Sequence, residues 1–138
     1  MKEHLLKTIQ ESQQYTLSVA ELLPEKDYGS TLAEGTWNFG ELMNHIAYGL
    51  QWWEDNYIKG TKAEWAPPPN KSKKKEIVGL LSAGFESLTK AVTKASASEK
   101  LTLGVWATLD HVTHHRGQAV VHLRKNGLTP PDYVGVNS

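Results

Sequence analysis

The stretch "NFGELMNHIAYGLQWW", residues 38–53, decides the fold. Asn38 is a good helix N-cap, and Glu41 three residues later completes a capping box, in which each side chain takes up a backbone N–H that the first turn leaves free. Phe39, Leu42, Met43, Ile46, Leu50 and Trp53 then recur at three- and four-residue steps. Such spacing makes one side of the helix continuously apolar, and that side needs a partner.

The flanking segments supply the partners. Before the stretch, "PEKDYGSTLAEGT" (24–36) carries Pro24, Gly29 and Gly35 and reads as a long connection. Upstream of it, Leu5, Ile9, Val19 and Leu23 recur at helical intervals and predict a first helix over residues 2–22 with a polar middle. After the stretch, "GTKAEWAPPPNK" (60–71) cannot continue a helix, because three successive prolines lack the N–H donors a helix requires. Ile77, Leu81, Phe85, Leu88 and Val92 predict a third helix from Ser72 to about Ala97. A fourth is expected from Gly104 to Asn126, closed by Gly127 with Pro130 and Pro131 just beyond. Four amphipathic helices without a strand predict an all-α four-helix bundle formed by one domain over residues 1–138. The long second connection argues against simple up-down-up-down topology.

Composition narrows the function. Fifteen basic and fifteen acidic residues cancel, leaving no overall field to draw in nucleic acid or an anionic membrane. The only basic cluster, "KSKKK" at 71–75, opens a helix where cations oppose the macrodipole, and reads as a solvated linker end. The chain has no cysteine, so disulfides and protein thiolates are excluded. The N-terminus lacks a signal-peptide core, and no run approaches the roughly 18 apolar residues of a transmembrane helix. A cytoplasmic protein is expected.

The chemistry concentrates in "DHVTHHRGQAVVHLRKNG", residues 110–127, which holds four of the six histidines. His111 and His115 are four residues apart, so both imidazoles lie on one helical face and can reach the same cation. Val105, Leu109, Val112 and Leu123 define the apolar stripe of this helix, and His111, His115, Gln118 and His122 fall nearly opposite. That arrangement suits either a solvated polar face or a helix packed on two sides that lines a polar cleft. Two features favour the cleft: Gly104 and Ala107 share the histidine side, and Arg116 sits on the apolar stripe, where a charge is costly unless paired. His45 on the second helix is the best further ligand, beside Gly49 and Trp52; the alternative is a half-buried, hydrogen-bonded histidine. His4 reads as a surface group, and His114, about 100° off the line of His111 and His115, as a surface group or one that supports a neighbouring ligand.

Residues 38–53, taken with "LDHVTHHRGQAVVHLRKNGLTPPDY" (109–133), resemble the DinB/YfiT-like superfamily of four-helix-bundle proteins. Its pattern is a lone histidine on the second helix, then H-x-x-x-H-R-G-Q on the fourth, then a Gly-x-x-Pro-Pro ending, here "GLTPP" at 127–131. The resemblance implies that His45, His111 and His115 hold a divalent metal ion, nickel or zinc, with other positions open to water or a small-molecule substrate. It leaves His114 and His122 outside the ligand set. It also implies a homodimer, which would give Arg116, Trp52 and Trp65 a surface to meet.

Three imidazoles with open positions form the ligand set of a catalytic metal, which lowers the pKa of bound water toward about 7 or polarises a carbonyl. The resemblance implies the activity of a metal-dependent hydrolase or a low-molecular-weight-thiol S-transferase, whose sulfur would arrive with a cosubstrate. The alternative is a non-catalytic small-molecule-binding or stress-response bundle. No glutamate follows His111 in a zinc-protease pattern, Glu41 is better explained by capping, and no general base is identified. Trp52, Trp53 and Trp106 are the candidates for the pocket wall.

Overall fold

The capping box and the apolar stripe meet in a computed structural model, which describes residues 1–133; residues 134–138, part of the domain expected from sequence, lie outside the described residues. The helices are α1 (Lys2–Leu22), α2 (Phe39–Trp53), α3 (Lys74–Lys94) and α4 (Glu99–Lys125), with no strand among the described residues. Asn38 accepts the Glu41 N–H at 2.7 Å, and Glu41 accepts the Asn38 N–H at 2.9 Å. Every stripe residue named from the sequence is buried except Trp53, which is half-buried.

Two boundaries differ from expectation. Helix α4 begins five residues before Gly104, because Ser98 caps it by accepting the Leu101 N–H at 3.0 Å. Helix α3 stops at Lys94, where Ala95 turns extended, and the third helix is shorter at its end than its composition suggested.

The helices run up-down-down-up. Lys2 Nζ donates to the Thr93 and Ala95 carbonyls at the C-terminus of α3, while Lys74 Nζ donates to those of Glu21 and Leu23, so α1 and α3 are antiparallel. Helices α2 and α3 are parallel: Gly84 faces Leu50, and one turn on, Ser87 bonds to Glu54. Each of α1 and α2 packs on both α3 and α4. Helix α4 is therefore buried along two sides.

The parallel α2–α3 pair requires a return segment. After α2 the chain makes a π-helical turn, Glu54–Ile58. It reaches α4 closely, since a Cβ on Gly104 would collide with the Tyr57 carbonyl oxygen. The segment then runs back along α2, held by a side chain from each successive turn. Asn56 Oδ1 accepts the Ala63 N–H, Trp52 Nε1 donates to the Ala63 carbonyl, the Tyr48 hydroxyl accepts the Ala66 N–H, and Asn44 Oδ1 accepts the Lys71 N–H. The polar middle of α1 also finds its reason. Ser12 and Thr16 accept hydrogen bonds from Arg116, whose guanidinium is buried over the Tyr15 ring at 4.8 Å. No helix among the described residues is long and apolar enough to cross a membrane.

Candidate metal centre

Antiparallel packing of α2 on α4 brings His45 opposite His111 and His115. His45 Nε2 lies 3.0 Å from His111 Nε2 and 3.0 Å from His115 Nε2. The three ligand atoms all lie within 4.8 Å of one another, and the group can hold a metal ion. None of the three rings is fully buried.

Each ring is fixed differently. His115 Nδ1 donates to Gln118 Oε1 at 2.9 Å, which leaves the lone pair on Nε2, the nitrogen facing His45. The Trp53 ring stacks on His111 at 4.1 Å and 19°. Gly49 leaves room for that ring: a Cβ there would lie 2.5 Å from His111 Cε1 and 2.6 Å from Nδ1. Trp37 stands 4.6 Å from the His45 ring and 5.9 Å from that of His115, and Trp65 lies 5.4 Å from His45.

These contacts decide the protonation chemistry. One hydrogen on His45 Nε2 can serve only one of its two short nitrogen contacts, and His115 has no Nε2 hydrogen to give. His111 Nδ1 is buried without a hydrogen-bond partner among the described residues. A cation accepts all three Nε2 lone pairs together. At the roughly 2.0–2.1 Å metal–nitrogen bond of such sites, ligand atoms stand roughly 2.9–3.4 Å apart, a range that includes the observed 3.0 Å. The donor set fits a divalent metal.

Burial, reinforced by the neighbouring imidazoles, lowers the pKa values of His45 and His111 to about 4. Burial also lowers that of His115, against the hydrogen bond that its Nδ1 gives to Gln118. A histidine of pKa 6.5 when unfolded and about 4 when folded binds more protons unfolded in the interval between. Its contribution is fully present above pH 6.5 and disappears as pH falls toward 4. The urea midpoint of metal-free protein is therefore expected to fall between pH 7 and pH 4.5, and to fall less in His111→Ala, where one such proton is missing. Equal slopes would contradict this assignment.

The remaining histidines separate. His114 is exposed and touches the His115 ring edge-on at 4.8 Å. His4 is exposed on α1. His122, expected on a polar face, is instead buried 6.0 Å from the Phe39 ring, because the connection before α2 folds over this end of α4. Trp106 lies exposed over the α1–α4 face, away from the histidines. Trp37 and Trp65 take the wall positions that sequence reasoning missed. Trp37 had one local signal, since it immediately precedes the N-cap, where an apolar residue packs against the first turn. Trp65 had none. Arg116, Trp52 and Trp65 all find partners within the chain.

Two recesses meet at Trp37. A groove of about 500 Å³ runs between α2, α3 and the return segment, and touches His45. A smaller one of about 260 Å³, between the 32–37 connection and α4, touches His115, Gln118 and His122.

A sequence profile of the DinB superfamily matches residues 8–123. No curated protein matches the chain. Among solved structures, a DinB-like protein from Bacillus cereus ATCC 10987 shares the fold with a TM-score of 0.78 at 19% identity, over 94% of this chain and 95% of that one. Helix order, all-α architecture and the profile match agree: the chain belongs to the DinB superfamily.

Proposed function

We propose that His45, His111 and His115 bind one divalent metal ion, nickel or zinc, and that the protein is a metal-dependent enzyme acting on small molecules. The observation that carries this reading is the convergence of three Nε2 atoms from two helices, two of the pairs at 3.0 Å, with Gln118 holding His115 in the tautomer a metal requires. When bound, such an ion supplies Lewis acidity and brings the pKa of a coordinated water or thiol toward neutrality.

The chain's own residues do the rest. Gln118 keeps the His115 proton on Nδ1; Trp53 stacks on the His111 ring and Gly49 leaves it room; Trp37 and Trp65 stand beside the His45 ring. Two recesses that share Trp37, one lined by His45 and the other by His115, favour group transfer between two small molecules over hydrolysis, which needs room for only one organic substrate. The capping role of Glu41 points the same way, because one of its oxygens is already committed to the Asn38 N–H. With no cysteine in the chain, a transferred thiol would come from a cosubstrate.

Metal-free protein dialysed separately against zinc and nickel is expected to take up about one ion per chain by elemental analysis, and to melt at higher temperature as metal concentration rises, since ligands that prefer the folded state stabilise it. No uptake of either ion removes this reading. Gln118→Ala should weaken metal binding by about 10- to 100-fold while leaving the metal-free melting temperature unchanged. Competition with a chromophoric chelator measures this directly, and an unchanged affinity would show that the Gln118 contact does not orient His115.

A further inference from the structure

The groove beside His45 carries information about its occupant. Its two walls are apolar: Trp65 and Pro67 to Pro69 on one side, Leu80 and Ala83 on the other. The return-segment wall is preformed, because the Asn44, Tyr48 and Trp52 side chains each tie its backbone to α2. A volume of about 500 Å³ suits a drug-sized molecule.

Several polar groups in the groove are already bonded within the protein. Asn44 donates to the Gly40 and Lys71 carbonyls and accepts the Lys71 N–H. Among the described residues, Glu41 and Lys71 alone bring formal charge to the lining; they carry opposite signs and belong to the His45 end, Glu41 one turn before His45 and Lys71 held at Asn44, so that end offers no net charge. An ion lying along the apolar walls toward Ser87 would lose hydration without meeting a counter-charge there.

One polar group at the far end is oriented. Ser87 donates its proton to Glu54 Oε2 at 2.9 Å, and the same oxygen is held by Lys59 Nζ at 2.9 Å. The Ser87 oxygen therefore presents lone pairs to a donor. Glu54, the partner of Ser87, follows His45 by nine residues, which sets the Ser87 end about 13 Å from the histidine along the helix axis.

We propose that this groove binds an uncharged, elongated molecule with an aromatic body, placing a hydrogen-bond donor at Ser87 and its other end beside His45. Calling that molecule a substrate rests on the metal reading; its binding does not.

Three matched probes test this: 4-biphenylmethanol, 4-biphenylcarboxylate and 4-biphenylmethylammonium, titrated into metal-free full-length protein and followed by the indole N–H resonances. The alcohol is expected to bind at least about tenfold tighter than either ion, because neither ion finds a counter-charge along the walls. Ser87→Ala should weaken the alcohol by about fivefold, the effect of one neutral hydrogen bond, and leave the carboxylate, which has no proton to donate, unchanged. Ala83→Phe, a change at an exposed helical position, should fill the groove and abolish binding. Ions that bind as tightly as the alcohol, or an alcohol indifferent to both substitutions, overturn the proposal. Protein that binds the alcohol but no metal sinks the metal reading alone, and protein that binds metal but no alcohol sinks the groove alone.

Discussion

Metal content falls from about one ion per chain to below about a tenth in His45→Ala and in His115→Ala, while His114→Ala stays at the wild-type level. Those are the expected results of elemental analysis after identical loading. The size follows from the way the site is shared. His45 is the sole contribution of α2, so its loss leaves two imidazoles one turn apart on a single helix, a pair common on protein surfaces and weak as a site. Substituting groups that merely orient a ligand already costs about 10- to 100-fold in affinity, and deleting a ligand costs more. His114 is exposed and meets the triad only through the edge of the His115 ring. The alanine variants should remain folded, because none of the three rings is fully buried. Metal retained in His45→Ala would mean that α4 binds it alone, and the cross-helix site would be wrong.

Gly49→Ala is the second large effect, and it acts without touching a ligand atom. The new methyl would stand 2.5 Å from His111 Cε1, and Trp53 stacks on the same ring at 4.1 Å between ring centroids, so the imidazole must leave its present place. Overpacking of this kind costs about 1–3 kcal/mol, against a helix-propensity gain of about 1 kcal/mol from removing a glycine. Net stability should therefore fall by no more than about 2 kcal/mol. Metal affinity should fall at least about tenfold, because the displaced ring no longer aims Nε2 at His45. Urea denaturation of metal-free protein and chelator competition separate the two quantities. A variant of wild-type affinity would show that the ring moves freely, and that glycine at this position serves only the approach of α2 to α4.

Much of the architecture was legible because it is written locally. The Asn38–Glu41 box and the stripe that follows it lie within a few residues of each other, and both appear where expected. The same locality explains the error at α4. Attention to the apolar spacing that begins near Gly104 hid Ser98, whose hydroxyl caps the helix a turn and a half earlier. His45, His111 and His115 came together as the family resemblance implied, yet the wheel of α4 alone could not choose between a solvated face and a cleft. A helical wheel records angles around one axis and says nothing of how many neighbours that helix has. Helix α4 packs on both α1 and α2, so its apolar stripe and its histidine side are each covered. The buried Arg116 and His122 come from the same cause.

By itself, then, the sequence determined the number and kind of helices, the residues that fill the core, and the side chains able to bind a metal. Capping, periodicity and donor chemistry are properties of short segments and survive without a partner. Tertiary structure alone decided that α2 and α3 run parallel, that Gly49 leaves room for His111, and that Trp37 and Trp65 flank His45 from two separate connections. Each of these joins residues distant in the chain, and depends on helix order and register, which no local pattern encodes.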